Sequence, residues 1–156
     1  MPDHKDHHYQ VTCRWNGSTG VGYEAYGRTH ELMATPAEAR LRASSDPAFR
    51  GDPKLLNPEQ LLVMAASSCQ LLSFLAVAAR KRLDVVDYVD QAEGFMPESD
   101  KPIRITRILL KPRITVKGPV DEAAVRKAVE IGHHECFIAN SLKSDIQVEP
   151  VIVIQA

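Results

Sequence analysis

The chain has 156 residues, 44% hydrophobic and 25% charged, with a formal net charge of −1. That length suits one domain, and the composition is ordinary for a soluble globular protein. The near-neutral balance lacks the basic excess of a nucleic-acid binder. Three cysteines, an odd number, do not form a secreted disulfide framework. The opening "MPDHKDHHYQ" is polar and has no apolar signal-peptide core, so the expectation is a cytoplasmic protein with free or cycling thiols.

Residues 1–8 read as a mobile tail, with His4, His7 and His8 as solvated side chains rather than metal ligands, and residues 9–156 as a single domain. Alternation at Tyr9, Val11, Cys13 and Trp15 predicts a strand, on which Cys13 reads as a small buried hydrophobe. "NGSTG" at 16–20 is a turn signal, and 21–34 reads as the return strand and its continuation. "TPAEARL" fits either a short helix or an irregular strand, and "SSDPAFRGDP" at 44–53 is loop chemistry.

The strongest helix signal follows. Asn57 is a good N-cap, Pro58 fits the first helical position, and Gln60 at the third completes a capping-box pattern. From there to about Arg82 the chain carries no charge between Glu59 and Arg80, a length sufficient to cross a membrane. Ser67, Ser68, Gln70 and Ser73 interrupt its centre, however, and strand-like segments flank it, so it reads as the central helix of a core. Strand patterns return at 84–96 and 103–118, with a slip near Arg107 and a proline at 112 that suggest a bulge or an edge. Helical spacing at Val125, Ala128, Val129 and Ile131 marks 120–134, a short or broken helix follows at 135–144, and a strand closes the chain at 145–155. The order predicts an α+β fold with antiparallel sheets.

Two cysteines stand apart from Cys13. Cys69 lies in the polar centre of the long apolar helix, and Cys136 follows His133, His134 and Glu135 at a helix break. Either can be structural. Together with His133 and His134 they could supply four zinc ligands, although no local Cys pair supports that. A Cys-His hydrolase is a third option, without the elbow motif that would mark it.

"NPEQLLVMAASSCQLLSFLAVAARK", with "HHECFIANSLKSDIQVEP" later, resembles the OsmC/Ohr family of thiol-dependent hydroperoxide reductases. "YGRTHEL" and "SSDPAFRGDP" resemble its OsmC-like branch, and the likeness spans roughly residues 9–155. The resemblance implies an OsmC-like fold wrapped around the long helix, an intertwined homodimer with sites at the subunit interface, and an antioxidant role in the oxidative stress response. It implies no cofactor or metal, and the charge balance and the polar centre of the long helix add the expectation of no nucleic acid and no membrane. Cys69 becomes the peroxidatic thiol, which must be a thiolate to attack an O–O bond, and Cys136 the resolving thiol that forms a disulfide with it. An organic hydroperoxide is the substrate, and an external thiol or dithiol the reductant. Glu59 matches the family's glutamate, which holds an activating arginine, here Arg28, with Arg50 as competitor.

Glu59 and Cys69 lie about 15 Å apart along one helix. An arginine must therefore bridge them, or Glu59 must serve the Cys69 of a second chain. Where many relatives have His after the first cysteine, this chain has Gln70. That departure keeps a second expectation open: an OsmC-like binder of a small molecule or thiol ligand without peroxidase turnover.

Overall fold

The computed structural model describes residues 5–156. His4 therefore lies outside the described residues, and residues 5–8 of the expected tail adopt neither helix nor strand. The chain divides into two compact units, residues 1–58 and 59–156.

The first unit is built on a three-stranded antiparallel sheet of β1 (Thr12–Arg14), β2 (His30–Met33) and β3 (Arg40–Ala43), in that order. The return strand starts nine residues later than the turn signal predicts. Residues 15–29 fold instead as a loop closed by their own side chains: Trp15 Nε1 donates to the Gly27 carbonyl at 2.8 Å, and Arg28 donates to the carbonyls of Tyr23 and Tyr26. "TPAEARL" resolves into a turn leading to β3, the irregular-strand option. The 44–53 segment is a loop with one 3-10 turn, Pro47–Phe49, capped by Asp46, whose carboxylate accepts from Ala48 N–H at 2.7 Å. Cys13 is exposed, contrary to the buried expectation. Alternation put it on a sheet face, but the described residues of this unit form no α-helix and no second sheet to cover that face.

In the second unit, α1 (Pro58–Arg80) starts where the Asn-Pro-Glu signal places it and has Arg80 in its last turn, which suits the negative end of the helix dipole. Its buried residues, Ala66, Gln70, Phe74, Val77 and Ala78, fall on one stripe at three- and four-residue spacing. Three extended segments follow, each broken once: β4 (Val85–Asp90) with β5 (Glu93–Phe95), β6 (Arg107–Leu110) with β7 (Pro112–Lys117), and β8 (Asp145–Val148) with β9 (Val151–Gln155). Between the second and third lie α2 (Glu122–Glu135) and α3 (Phe137–Ser141).

The strands pair as β4-β7-β9 and β5-β6-β8. Pro112 and Pro150 have no N–H to donate, so the ladder breaks at that level. Polar groups there find other partners: Lys111 N–H donates to Asp90 Oδ1 at 2.7 Å and Glu149 N–H to the Leu110 carbonyl at 2.8 Å. Pro112 thus marks a break in a strand paired on both sides, not an edge.

β4 with β7 and β5 with β6 pair antiparallel, as expected, but β6 with β8 and β7 with β9 are parallel. The α2–α3 connection explains this, since parallel neighbours need a crossover of a dozen or more residues and this one carries two helices. α1 spans two apolar clusters. Phe74, Val77 and Ala78 meet Ile114 and Val116 of β7 and Val125, Ala128 and Val129 of α2. Ala66 meets Ile105, Ile108, Leu110 and Ile146. α1 and α2 touch backbone to backbone at Gly132, where a Cβ would stand 3.0 Å from the Cα and the N of Phe74.

Candidate active site

Cys69 and Cys136 come together. α1 presents Cys69, half-buried, and Cys136 caps α3, 1% exposed, its sulfur accepting from Ala139 N–H at 3.5 Å. Burial pushes the Cys69 thiol up, but the N–H groups of Ile138 and Phe137, the Cys136 thiol and the Ser73 hydroxyl all bond its sulfur, and their sum leaves it below an ordinary thiol. Burial also pushes Cys136 up. The N–H groups of Ala139 and Ile138 oppose this, while its bond to Cys69 and the charge of that sulfur add to it, and Cys136 ends above an ordinary thiol. The arrangement is an unequal pair: a half-buried sulfur lowered by the donors around it, and a buried second sulfur, raised, that is hydrogen-bonded to the first.

Sequence reasoning located both sulfurs and assigned the lowering of the first to an arginine. Within this unit the donors are first-turn N–H groups of α3, which have no partner inside their own helix, and Ser73. Ser73 was legible, since a residue four after Cys69 shares its helix face. The α3 donors were not, because they depend on where a short helix after β7 and α2 is placed.

The other expected residues are distributed as follows. Glu59, in the first turn of α1, has a buried Oε2 with no hydrogen-bond partner. Arg28 belongs to the first unit, where its guanidinium lies 3.8 Å above the Tyr26 ring and 4.8 Å from that of Tyr23, with both carbonyl bonds at 2.6 Å. Arg50, in the same unit, forms an ion pair with Glu24. Gln70 is 1% exposed and its Nε2 donates to the Val129 carbonyl of α2 at 3.3 Å. His133 and His134 line a separate cavity of about 280 Å³ with Glu130, Asn140, Ser144 and Asp145. No group of three or more His, Cys, Asp or Glu is placed to hold a metal ion among the described residues.

Behind the pair, β4 supplies a polar edge to the core. Asp90 accepts from the Ser67 hydroxyl of α1 at 2.5 Å. Tyr88, two residues earlier on the same strand face, packs on Phe74 with ring centroids 5.8 Å apart. Burial first, then the charges of Asp90 and Cys136, hold its phenol protonated well above its ordinary value.

A half-buried thiol on a core helix, bonded to a second thiol at the cap of a short helix, defines a small α+β protein with a dithiol site. A family model described as "OsmC-like protein" matches residues 51–151, and the chain belongs to that family. A curated relative, the uncharacterized protein YmaD of Bacillus subtilis (strain 168), is 21% identical over 148 residues, 92% of each chain. Among solved structures, an OsmC-like protein of unknown function from Vibrio cholerae superposes with a TM-score of 0.84 at 25% identity, covering 94% of this chain and 100% of the other. An organic hydroperoxide resistance protein OsmC from Legionella pneumophila has a TM-score of 0.65 at 16% identity, covering 95% and 99%, a likeness of fold.

Proposed function

We propose that this chain is a thiol peroxidase that reduces organic hydroperoxides, with residues 9–156 acting as one OsmC-like domain in the cytoplasm and needing no cofactor. The observation that carries the reading is the hydrogen-bonded pair of unequal thiols. In the first step the Cys69 thiolate attacks an oxygen of ROOH. The S–O bond forms, the O–O bond breaks, and the alkoxide leaves as an alcohol after taking a proton, so that Cys69 is oxidised to sulfenic acid. The Cys136 sulfur then attacks Cys69. The S–S bond forms, the S–O bond breaks, and hydroxide leaves as water with the proton that Cys136 gives up. An external dithiol returns two electrons by exchange and restores both thiols.

Organic substrates fit the surroundings. Leu72, three residues after Cys69 on α1, is 63% exposed, and Phe137, whose N–H bonds the Cys69 sulfur, is 79% exposed. Both offer apolar surface beside the reacting sulfur, so the reading includes a preference over hydrogen peroxide. Comparable rates for the two peroxides would remove that preference.

The reading keeps Glu59 and Arg28 in the site. A carboxylate oxygen buried without a partner is unfavourable, and a guanidinium that Glu59 holds beside Cys69 would relieve it. The homodimer belongs to the same reading, with Glu59 of one chain serving the partner's Cys69. It is supported by the apolar face that α1 leaves exposed at Met64, Leu72 and Leu75, a stripe that a second copy would cover. Leu72→Glu is then expected to sediment as a monomer, and a wild-type chain that is monomeric with full activity would contradict the shared site.

Gln70 was the residue that kept a non-catalytic binder in view. Gln70 is buried and its Nε2 donates to the Val129 carbonyl of α2, and the binder remains the alternative reading for the next experiment. The deciding experiment is mass spectrometry after one equivalent of cumene hydroperoxide. A loss of two mass units with a Cys69–Cys136 bridge is expected. Unchanged mass, or scattered oxidation that includes Cys13 and methionines, would overturn the reading.

A further inference from the structure

The 15–29 loop is closed around Arg28. The guanidinium lies 3.8 Å above the Tyr26 ring and 4.8 Å from the Tyr23 ring, and it donates to the carbonyls of both residues at 2.6 Å. The stack uses the flat face of the guanidinium and the two bonds use its fork, a combination that an ammonium cannot reproduce. The Tyr26 ring is itself held by two neighbours. Trp15 and Tyr23 meet it near-perpendicular, with ring centroids 6.3 and 6.2 Å away, which is the range of favourable edge-to-face pairs. The peptide groups on either side of the Arg28 side chain are tied as well: Trp15 Nε1 donates to the Gly27 carbonyl and His30 Nδ1 to the Arg28 carbonyl, each at 2.8 Å.

Every group that holds Arg28 is neutral. Carbonyls and aromatic rings bond or face a cation without cancelling its charge, whereas a carboxylate would cancel it. Arg50 shows the contrast, since its guanidinium lies 5.9 Å from the same Tyr23 ring but is paired with Glu24. Arg28 pairs with no carboxylate among the described residues. Of its five N–H groups the two carbonyls take two, so three remain for an acceptor. The loop thus orders a long side chain, against its rotamer entropy, and leaves the charge and most of the donors unused.

We propose that Tyr26 is a positioning residue: its ring, together with the Tyr23 and Tyr26 carbonyls, holds the Arg28 guanidinium in one orientation, with its charge and remaining N–H groups presented to an anion. This rests on the thiol-peroxidase reading above, in which that anion is the Cys69 thiolate with the Glu59 carboxylate beside it. Neutral holding groups suit the task, because a thiolate is favoured by a nearby cation whose charge is not already compensated. The same argument selects Arg28 over Arg50.

The test compares Tyr26→Leu, Tyr26→Phe and Arg28→Lys in the full chain, with two measurements. The first is the Arg28 Nε–H signal in proton–nitrogen NMR spectra of the reduced protein. The ring current of Tyr26 is expected to displace it from the position of a free arginine in the wild type. Tyr26→Leu should return it there, and Tyr26→Phe, which keeps the ring, should restore the displacement. The second is the single-turnover rate of Cys69 oxidation by cumene hydroperoxide, trapped with dimedone. Tyr26→Leu and Arg28→Lys are both expected to be slowed roughly tenfold, the scale of one cation–π contact and the hydrogen bonds it aligns, with Tyr26→Phe restoring the rate. A signal that Tyr26→Leu leaves in place would overturn the proposal. So would Arg28→Lys at the wild-type rate, because the charge alone would then suffice without a holder for its shape. Cys69 oxidised at the wild-type rate in Tyr26→Leu, with the signal lost, counts against Tyr26 and leaves the peroxidase reading intact. A wild type that does not reduce the peroxide, with its Arg28 signal displaced, counts against the peroxidase reading and leaves the arginine holder standing.

Discussion

Gly132→Ala tests whether the crossing of α1 and α2 sets the distance between the two thiols. A Cβ at position 132 would stand 3.0 Å from Phe74 Cα, 3.0 Å from Phe74 N and 3.3 Å from the Ser73 carbonyl carbon. These are backbone atoms of a helix, which cannot swing aside as a side chain does, so the helices must separate by a few tenths of an ångström. Alanine gains about 0.5–1 kcal/mol over glycine within a helix. Overpacking a close contact costs about 1–3 kcal/mol. The expected net loss is about 1 kcal/mol, a fall of about 2–4 °C in melting temperature for a chain of this size.

The same contact lies next to Ser73, which bonds the Cys69 sulfur, and four residues before Cys136. Separation should therefore slow disulfide formation more than the first oxidation. Thermal unfolding and single-turnover disulfide formation are the two measurements, with Gly27→Ala as control, since nothing lies within 4 Å of a Cβ there. If Gly132→Ala melts at or above the wild type, the backbone contact does not constrain the helices and the reasoning is refuted.

Cys69→Ser should abolish peroxide turnover, and Cys136→Ser should permit one oxidation, trapped as sulfenic acid, without a disulfide. Iodoacetamide should alkylate Cys69 with a midpoint below that of a free cysteine, and Cys136 with one above it, because the first is lowered and the second raised. Cys136→Ala removes a hydrogen-bond donor from Cys69, so the Cys69 midpoint should rise toward that of an ordinary thiol; a midpoint that stays put would show that α3 and Ser73 suffice. Glu59→Gln should slow peroxide reduction by tenfold or more if the carboxylate holds the activating cation. An unchanged rate in a steady-state assay with dithiothreitol would leave Glu59 as a first-turn helix stabiliser, a contribution of about 0.3–1 kcal/mol.

Local chemistry made the helices legible. Asn57, Pro58 and Glu59 announce the start of α1, and the spacing of Val125, Ala128 and Val129 marks the buried face of α2, because caps and helical periodicity act over a few residues. The Cys69 and Cys136 pairing came from a resemblance between two distant segments, and no local pattern contains it. Other features were decided only when the chain folded. The 15–29 loop takes its shape from Trp15 and Arg28 reaching back to carbonyls up to twelve residues away. β7 and β9 are parallel because two helices lie between their segments. Gln70 turns to α2 while its neighbour Cys69 turns to α3, a difference of one helical step that alternates environment within a single dipeptide. The thiolate's donors, too, are backbone N–H groups present in any sequence. Whether they bond a sulfur depends on the placement of α3, and that is set by packing across the whole second unit.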